Sequence, residues 1–131
     1  MYGFSTNLKT TMDDADAKVR AALMEEGFGV LTEIDVQKVM KAKLDISRGG
    51  YKILGACNPN FAHQAIDAEP DIGLLLPCNV LLREESDGSI TVAFMDPMAV
   101  LTLVENNPVI HQVAPMVREK LMRVCNKLKA G

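Results

Sequence analysis

Two short stretches of the chain share an unusual pattern, Gly55-Ala56-Cys57-Asn58-Pro59 and Leu76-Pro77-Cys78-Asn79-Val80. Each sets a Cys-Asn dipeptide beside a proline. The first falls where an apolar, β-rich run gives way to a helix start, with Asn58 as cap and Pro59 at the first helical position. A thiol placed there feels the positive end of the helix dipole, which favours the reactive thiolate. The second falls at a bend within an apolar run. If the two runs are neighbouring strands, Cys57 and Cys78 approach each other. Such a pair can act as a redox dithiol. It can also hold a soft metal, with His63, one turn into the helix, as the third ligand. With Asn58 and Asn79, the thiols make a candidate small-ligand site. A packing reading stands beside the chemical one. Free cysteine often behaves as a small buried hydrophobe. Helix capping alone explains Asn58, and Asn79 can satisfy backbone groups that Pro77 frees. An exposed helix position is the ordinary setting for His63.

Other familiar chemistry is missing. Gly27, Gly29, Gly49 and Gly50 have the wrong spacing for a dinucleotide or phosphate loop, and there is no Gly-x-Ser-x-Gly elbow. No base-and-nucleophile pair suggests a hydrolase or transferase, so whether any reaction is catalysed stays open. His111 and Asp96 stand out in no pattern. Cys125 falls on the apolar side of the last helix and is expected in the core. The eight methionines are spread along several elements and read as core filling. With 14 basic against 17 acidic residues, the formal charge of −3 argues against nucleic acid as a partner. Two Tyr and no Trp make an aromatic stacking platform improbable. The longest apolar stretches, near 72–82 and 97–104, fall short of the ~20 residues that cross a bilayer. Met1 to Lys9 has no basic stretch before an apolar run, so no secretory leader is expected. Three cysteines without close pairing suit reduced thiols, and the cytoplasm is the expected location.

The elements that must position these residues follow from periodicity and punctuation. Tyr2 to Leu8 reads as a first strand. Thr10 or Thr11 caps a helix whose stripe is Met12, Ala15, Val19, Ala22 and Leu23, with Gly27 as its stop. Val30 to Ile34 is expected as a strand running back along the first. Asp35 caps a second helix, Val36 to Leu44, with Lys38, Lys41 and Lys43 on its wet side. Tyr51 to Cys57 is a strand, and Pro59 to Ala68 a helix closed by Pro70. Ile72 to Arg83 reads as a strand bent at Pro77. Ser86-Asp87-Gly88-Ser89 turns it into a partner strand, Ile90 to Met95. Met98 to Val104 makes a short helix. Asn106-Asn107-Pro108 starts the last helix, to about Leu128, with a kink expected at Pro115. At 131 residues, 48% hydrophobic and 24% charged, the chain is one domain, residues 1–131, able to fold without disulfides or a structural metal. The class is α+β, a mainly antiparallel sheet with helices packed on one face.

The runs Tyr51 to Pro59 and Ile72 to Val80, with Glu33-Ile34-Asp35-Val36 and Asp96-Pro97, resemble the family called domain of unknown function 302, over about residues 1–128. The resemblance implies a small α+β domain with a curved antiparallel sheet and flanking helices, often as a homodimer. It implies no established activity, substrate or cofactor. Cys57, Asn58, Pro59, Pro77, Cys78 and Asn79 match its motifs, whereas Pro115 departs from its pattern. Two functions of different class follow. One is a binding or redox module centred on Cys57 and Cys78, taking a soft metal, a sulfur species or a small molecule. The other is a non-catalytic structural or interaction homodimer in which the motifs only shape the fold. An apolar hairpin over Ile72–Met95, long enough to leave an edge needing cover, is a second reason to expect the dimer.

Overall fold

The computed structural model describes residues 2–130. Five strands and four helices follow one another as β1 (Gly3–Leu8), α1 (Met12–Glu25), β2 (Gly29–Asp35), α2 (Val36–Leu44), β3 (Tyr51–Cys57), α3 (Pro59–Ala68), β4 (Cys78–Glu84), β5 (Ile90–Met95) and α4 (Pro108–Ala130). Two 3-10 segments, Pro70–Leu75 and Pro97–Thr102, follow α3 and β5. The strands form one sheet in the order β1-β5-β4-β3-β2, and every neighbouring pair is antiparallel. The class is α+β.

The local signals behind the first crossover are met in full. The Thr11 hydroxyl accepts the Asp14 N–H at 3.2 Å and caps α1. At the other end Gly27 takes φ +84°. The Phe28 and Gly27 N–H groups donate to the Leu23 and Met24 carbonyls, each at 3.0 Å, closing a Schellman-type stop. Ala15, Val19, Ala22 and Leu23 are buried, as the stripe requires. The destination of this crossover differs from the expectation. Strand β2 does not run back along β1; the two lie at opposite edges of the sheet. Helix length accounts for this: 14 residues rise about 21 Å, and five strands put the edges about 19 Å apart. Asp16 of α1 ties the helix to the far edge. Its carboxylate accepts from Arg20 at 2.5 Å and Lys52 at 2.9 Å, and Arg20 reaches Glu33 of β2 at 2.6 Å. Burial opposes the charge on Asp16, but these two cations prevail and hold its carboxyl below the usual range.

Helices α1 and α4 pack against one another and the sheet. The core they share includes Leu23, Leu54, Val80, Leu82, Ile90 and Val92, all fully buried, together with Cys125 on the inner side of α4. Pro115 sits inside α4 on an exposed turn, and the helix continues to Ala130. No helix among the described residues is long and apolar enough to cross a membrane.

Two further expectations are corrected. Ile72 to Arg83 is not one bent strand. Its first part is the 3-10 segment Pro70–Leu75, and β4 begins only after Pro77. Pro77, whose peptide bond to Leu76 is cis, stands just outside the ladder, where its missing N–H removes no strand bond. The apolar run was continuous because Ile72, Leu75 and Leu76 join a second, smaller hydrophobic cluster with Ala65 and Ile110. The β4–β5 hairpin turns at Gly88, φ +86°. It forms the middle of the sheet, with β3 and β1 on its flanks, so it leaves no edge to cover.

Candidate functional site

Cys57 is the last residue of β3 and Cys78 the first of β4. The strands are hydrogen-bonded neighbours, with Ala56 directly opposite Cys78, so the two Cys-Asn motifs do meet. All three cysteines are free thiols; Cys57 and Cys78 are half-buried and Cys125 is buried. Burial, then the neighbouring Cys57, pushes the Cys78 thiol up to about 11, so it is a neutral thiol at neutral pH.

Gly55 makes the junction between the motifs fit. A Cβ at this position would overlap the Thr32 hydroxyl outright and stand 2.7 Å from Cγ of Pro77. The Thr32 side chain and the Pro77 ring therefore close over a bare backbone. The register of β2 against β3 shifts between Val30 and Thr32 at the same place.

Both thiols line a cavity of about 380 Å³. It lies between the two hydrophobic clusters, over the ends of β3, β4 and β5. Its roof is α3, the two 3-10 segments and the first half of α4, represented by Ala62, Ile72, Pro97, Val113 and Val117. The wall is almost wholly carbon. Its polar side chains are Thr32, Asn58 and the two thiols, and among the described residues no charged side chain lines it. Leu31 and Ile66, both lining residues, are 68% and 46% exposed and mark the mouth.

The roof's buried residues are Ala65, Ile72 and Ile110 of the second cluster, together with Pro97, Val113, Ala114 and Val117. Asn107 stitches it together: its amide donates to the Ala68 carbonyl at 2.7 Å, while its side-chain oxygen accepts from Val109 at 3.1 Å and caps α4. Asn107 thus serves as the helix start expected from sequence and also fastens α4 to the end of α3.

The other predicted site residues separate. Asn58 lines the cavity but makes no side-chain capping bond to α3. Its amide instead points back to the Glu26 carbonyl at 3.5 Å, beside Gly27. Asn79 is exposed, sits opposite Gly55 and is not part of the cavity wall. His63 is exposed on the outer side of α3, with Asp67 at 3.4 Å. Among the described residues no cluster of three or more His, Cys, Asp or Glu is placed to hold a metal ion, so His63 does not join the two thiols. Sequence reasoning missed the cavity itself. Ala62, Ile72 and Val113 read as ordinary apolar helix or strand positions, and a residue facing a void has the same type and period as one facing a neighbour. Gly55 was in plain view within the motif, and a glycine inside a strand does signal close backbone approach.

Fold and site together define a small α+β domain with a carbon-lined cavity at one end of its sheet. The chain belongs to the family described as domain of unknown function DUF302, whose family model matches residues 4–128. Among solved structures, it resembles an uncharacterized conserved DUF302 protein from Bacillus stearothermophilus, with a TM-score of 0.88 and 23% identity over 98% of each chain. That likeness speaks to the fold alone. A search of curated proteins found no match.

Proposed function

We propose that this domain is a small-molecule binding module whose site is the cavity bounded by the two Cys-Asn motifs. One observation carries the reading: about 380 Å³ of carbon-lined space, with Cys57, Asn58 and Cys78 in its wall. Binding pockets for small molecules start at about 300 Å³ and combine apolar walls with a few polar groups, as this one does. Within this reading Cys57 and Asn58 offer weak polar contacts at one end, and Cys78 acts as a neutral wall group. The soft-metal version has less support, because a metal must displace the proton that burial holds on Cys78. The test is a fluorescence titration with N-phenyl-1-naphthylamine, a dye that brightens in apolar surroundings. Saturable one-to-one binding is expected, and Ala62→Phe, which fills the roof, should abolish it while the protein stays folded. A wild-type protein that leaves the dye dark refutes the reading.

A second reading, an interaction homodimer, has an observation of its own. Helix α2 buries none of its residues, and Leu31, Ile34, Leu44 and Ile46 are exposed around it and the β2 edge. Sedimentation equilibrium tests it, and a monomer at micromolar concentration counts against it.

A further inference from the structure

The chemistry of the cavity also defines its occupant. We infer that the cavity takes an uncharged, predominantly apolar molecule of about fifteen heavy atoms and rejects the same molecule bearing a carboxylate. This rests on the binding reading above and narrows it.

Size comes first. A dry protein cavity of about 150 Å³ holds benzene. Scaling that occupancy to 380 Å³ gives roughly fifteen heavy atoms. Charge comes second. An ionised group brought into an apolar interior without a partner loses its hydration and recovers little. Among the described residues the cavity has no cation: its polar side chains are one hydroxyl, one amide and two thiols. These can hydrogen-bond a hydroxyl, carbonyl or ester, and none offers the paired charge that a carboxylate needs. Protruding the carboxylate from the mouth does not rescue it. The roof segment beside Ile66 carries Asp67, Glu69 and Asp71, and its one basic side chain, His63, already faces Asp67. An anionic head there meets like charge.

The experiment is competition against N-phenyl-1-naphthylamine on the wild-type protein at pH 8, below micelle-forming concentrations. Dodecan-1-ol is close to the inferred size, dodecanoate adds the charge, and hexan-1-ol is too small. Dodecan-1-ol should half-displace the dye at a concentration at least tenfold below dodecanoate and at least tenfold below hexan-1-ol. Dodecanoate displacing as well as the alcohol overturns the charge argument, and hexan-1-ol matching dodecan-1-ol overturns the size argument. Both outcomes leave the binding reading intact, whereas a dye that never binds removes that reading itself.

Discussion

Replacing Gly55 by alanine should disturb the fold and the cavity through the same atoms. The added Cβ meets two groups on the β3 surface: the Thr32 hydroxyl, which it overlaps, and Cγ of Pro77 at 2.7 Å. Real Cβ atoms avoid contacts this short, so something must move. Thr32 can relieve its clash by rotating about χ1, at a cost of about 1 kcal/mol or less. Pro77 has no such freedom, since its ring is fixed to the backbone that leads into β4. Moving it shifts Cys78, which lies directly opposite Ala56 in the ladder. Overpacking a filled site typically costs about 1–3 kcal/mol, and the rigid partner here puts the expected loss at about 2–3 kcal/mol. The assay is urea denaturation of the wild type, Gly55→Ala, Thr32→Ala and the double variant. The double variant should recover only part of the loss, because the Pro77 contact remains. Dye binding should weaken in both proteins that carry Gly55→Ala. A Gly55→Ala midpoint within error of the wild type refutes the claim that these side chains close over a bare backbone. Full recovery in the double variant would show that Pro77 plays no part.

Leu23 is fully buried on the α1 stripe, so Leu23→Ala should cost about 2–5 kcal/mol; a change under about 1 kcal/mol by the same denaturation would place that face in solvent. The Cys78 thiol is raised from 9.0 to about 11 in the folded chain. The unfolded chain therefore loses that proton first, and stability present below pH 9 drains away as pH rises toward 11, by up to about 2–3 kcal/mol. Comparing alkaline denaturation of the wild type with Cys78→Ala isolates this slope, and parallel curves would contradict it. At pH 8 iodoacetamide should label Cys57 well before Cys78, whose thiolate is about one part in a thousand there; mass spectrometry showing equal rates would overturn that order.

Much of the fold was legible because punctuation and period agreed locally. Thr11, Gly27, Asp35, Pro59 and Gly88 each mark a boundary that the structure keeps. The placing of strands was less legible. Nothing in Val30 to Ile34 says which strand it joins; that depends on the span of α1 and on the β4–β5 hairpin taking the middle of the sheet. The apolar run 72–76 misled for a related reason. Hydrophobicity reports burial, and burial against α4 in a 3-10 segment looks like burial in a strand. At the site, the paired Cys-Asn motifs correctly pointed to one place, since β3 and β4 are neighbours. The sequence was silent on which motif residues would face inward. Alternation along β4 carries Asn79 out of the cavity wall, and the outward face of α3 carries His63 away from the thiols.

The central claim, that the cavity is a ligand site, is tested most directly by methyl NMR. Protein labelled at alanine, isoleucine, leucine and valine methyls is titrated with dodecan-1-ol. Ala62, Ile72, Val113 and Val117, which line the cavity, should shift together and saturate, while exposed Ile34, Leu44 and Ile46 stay in place. Spectra unchanged throughout, or shifts confined to those exposed residues, would contradict the account.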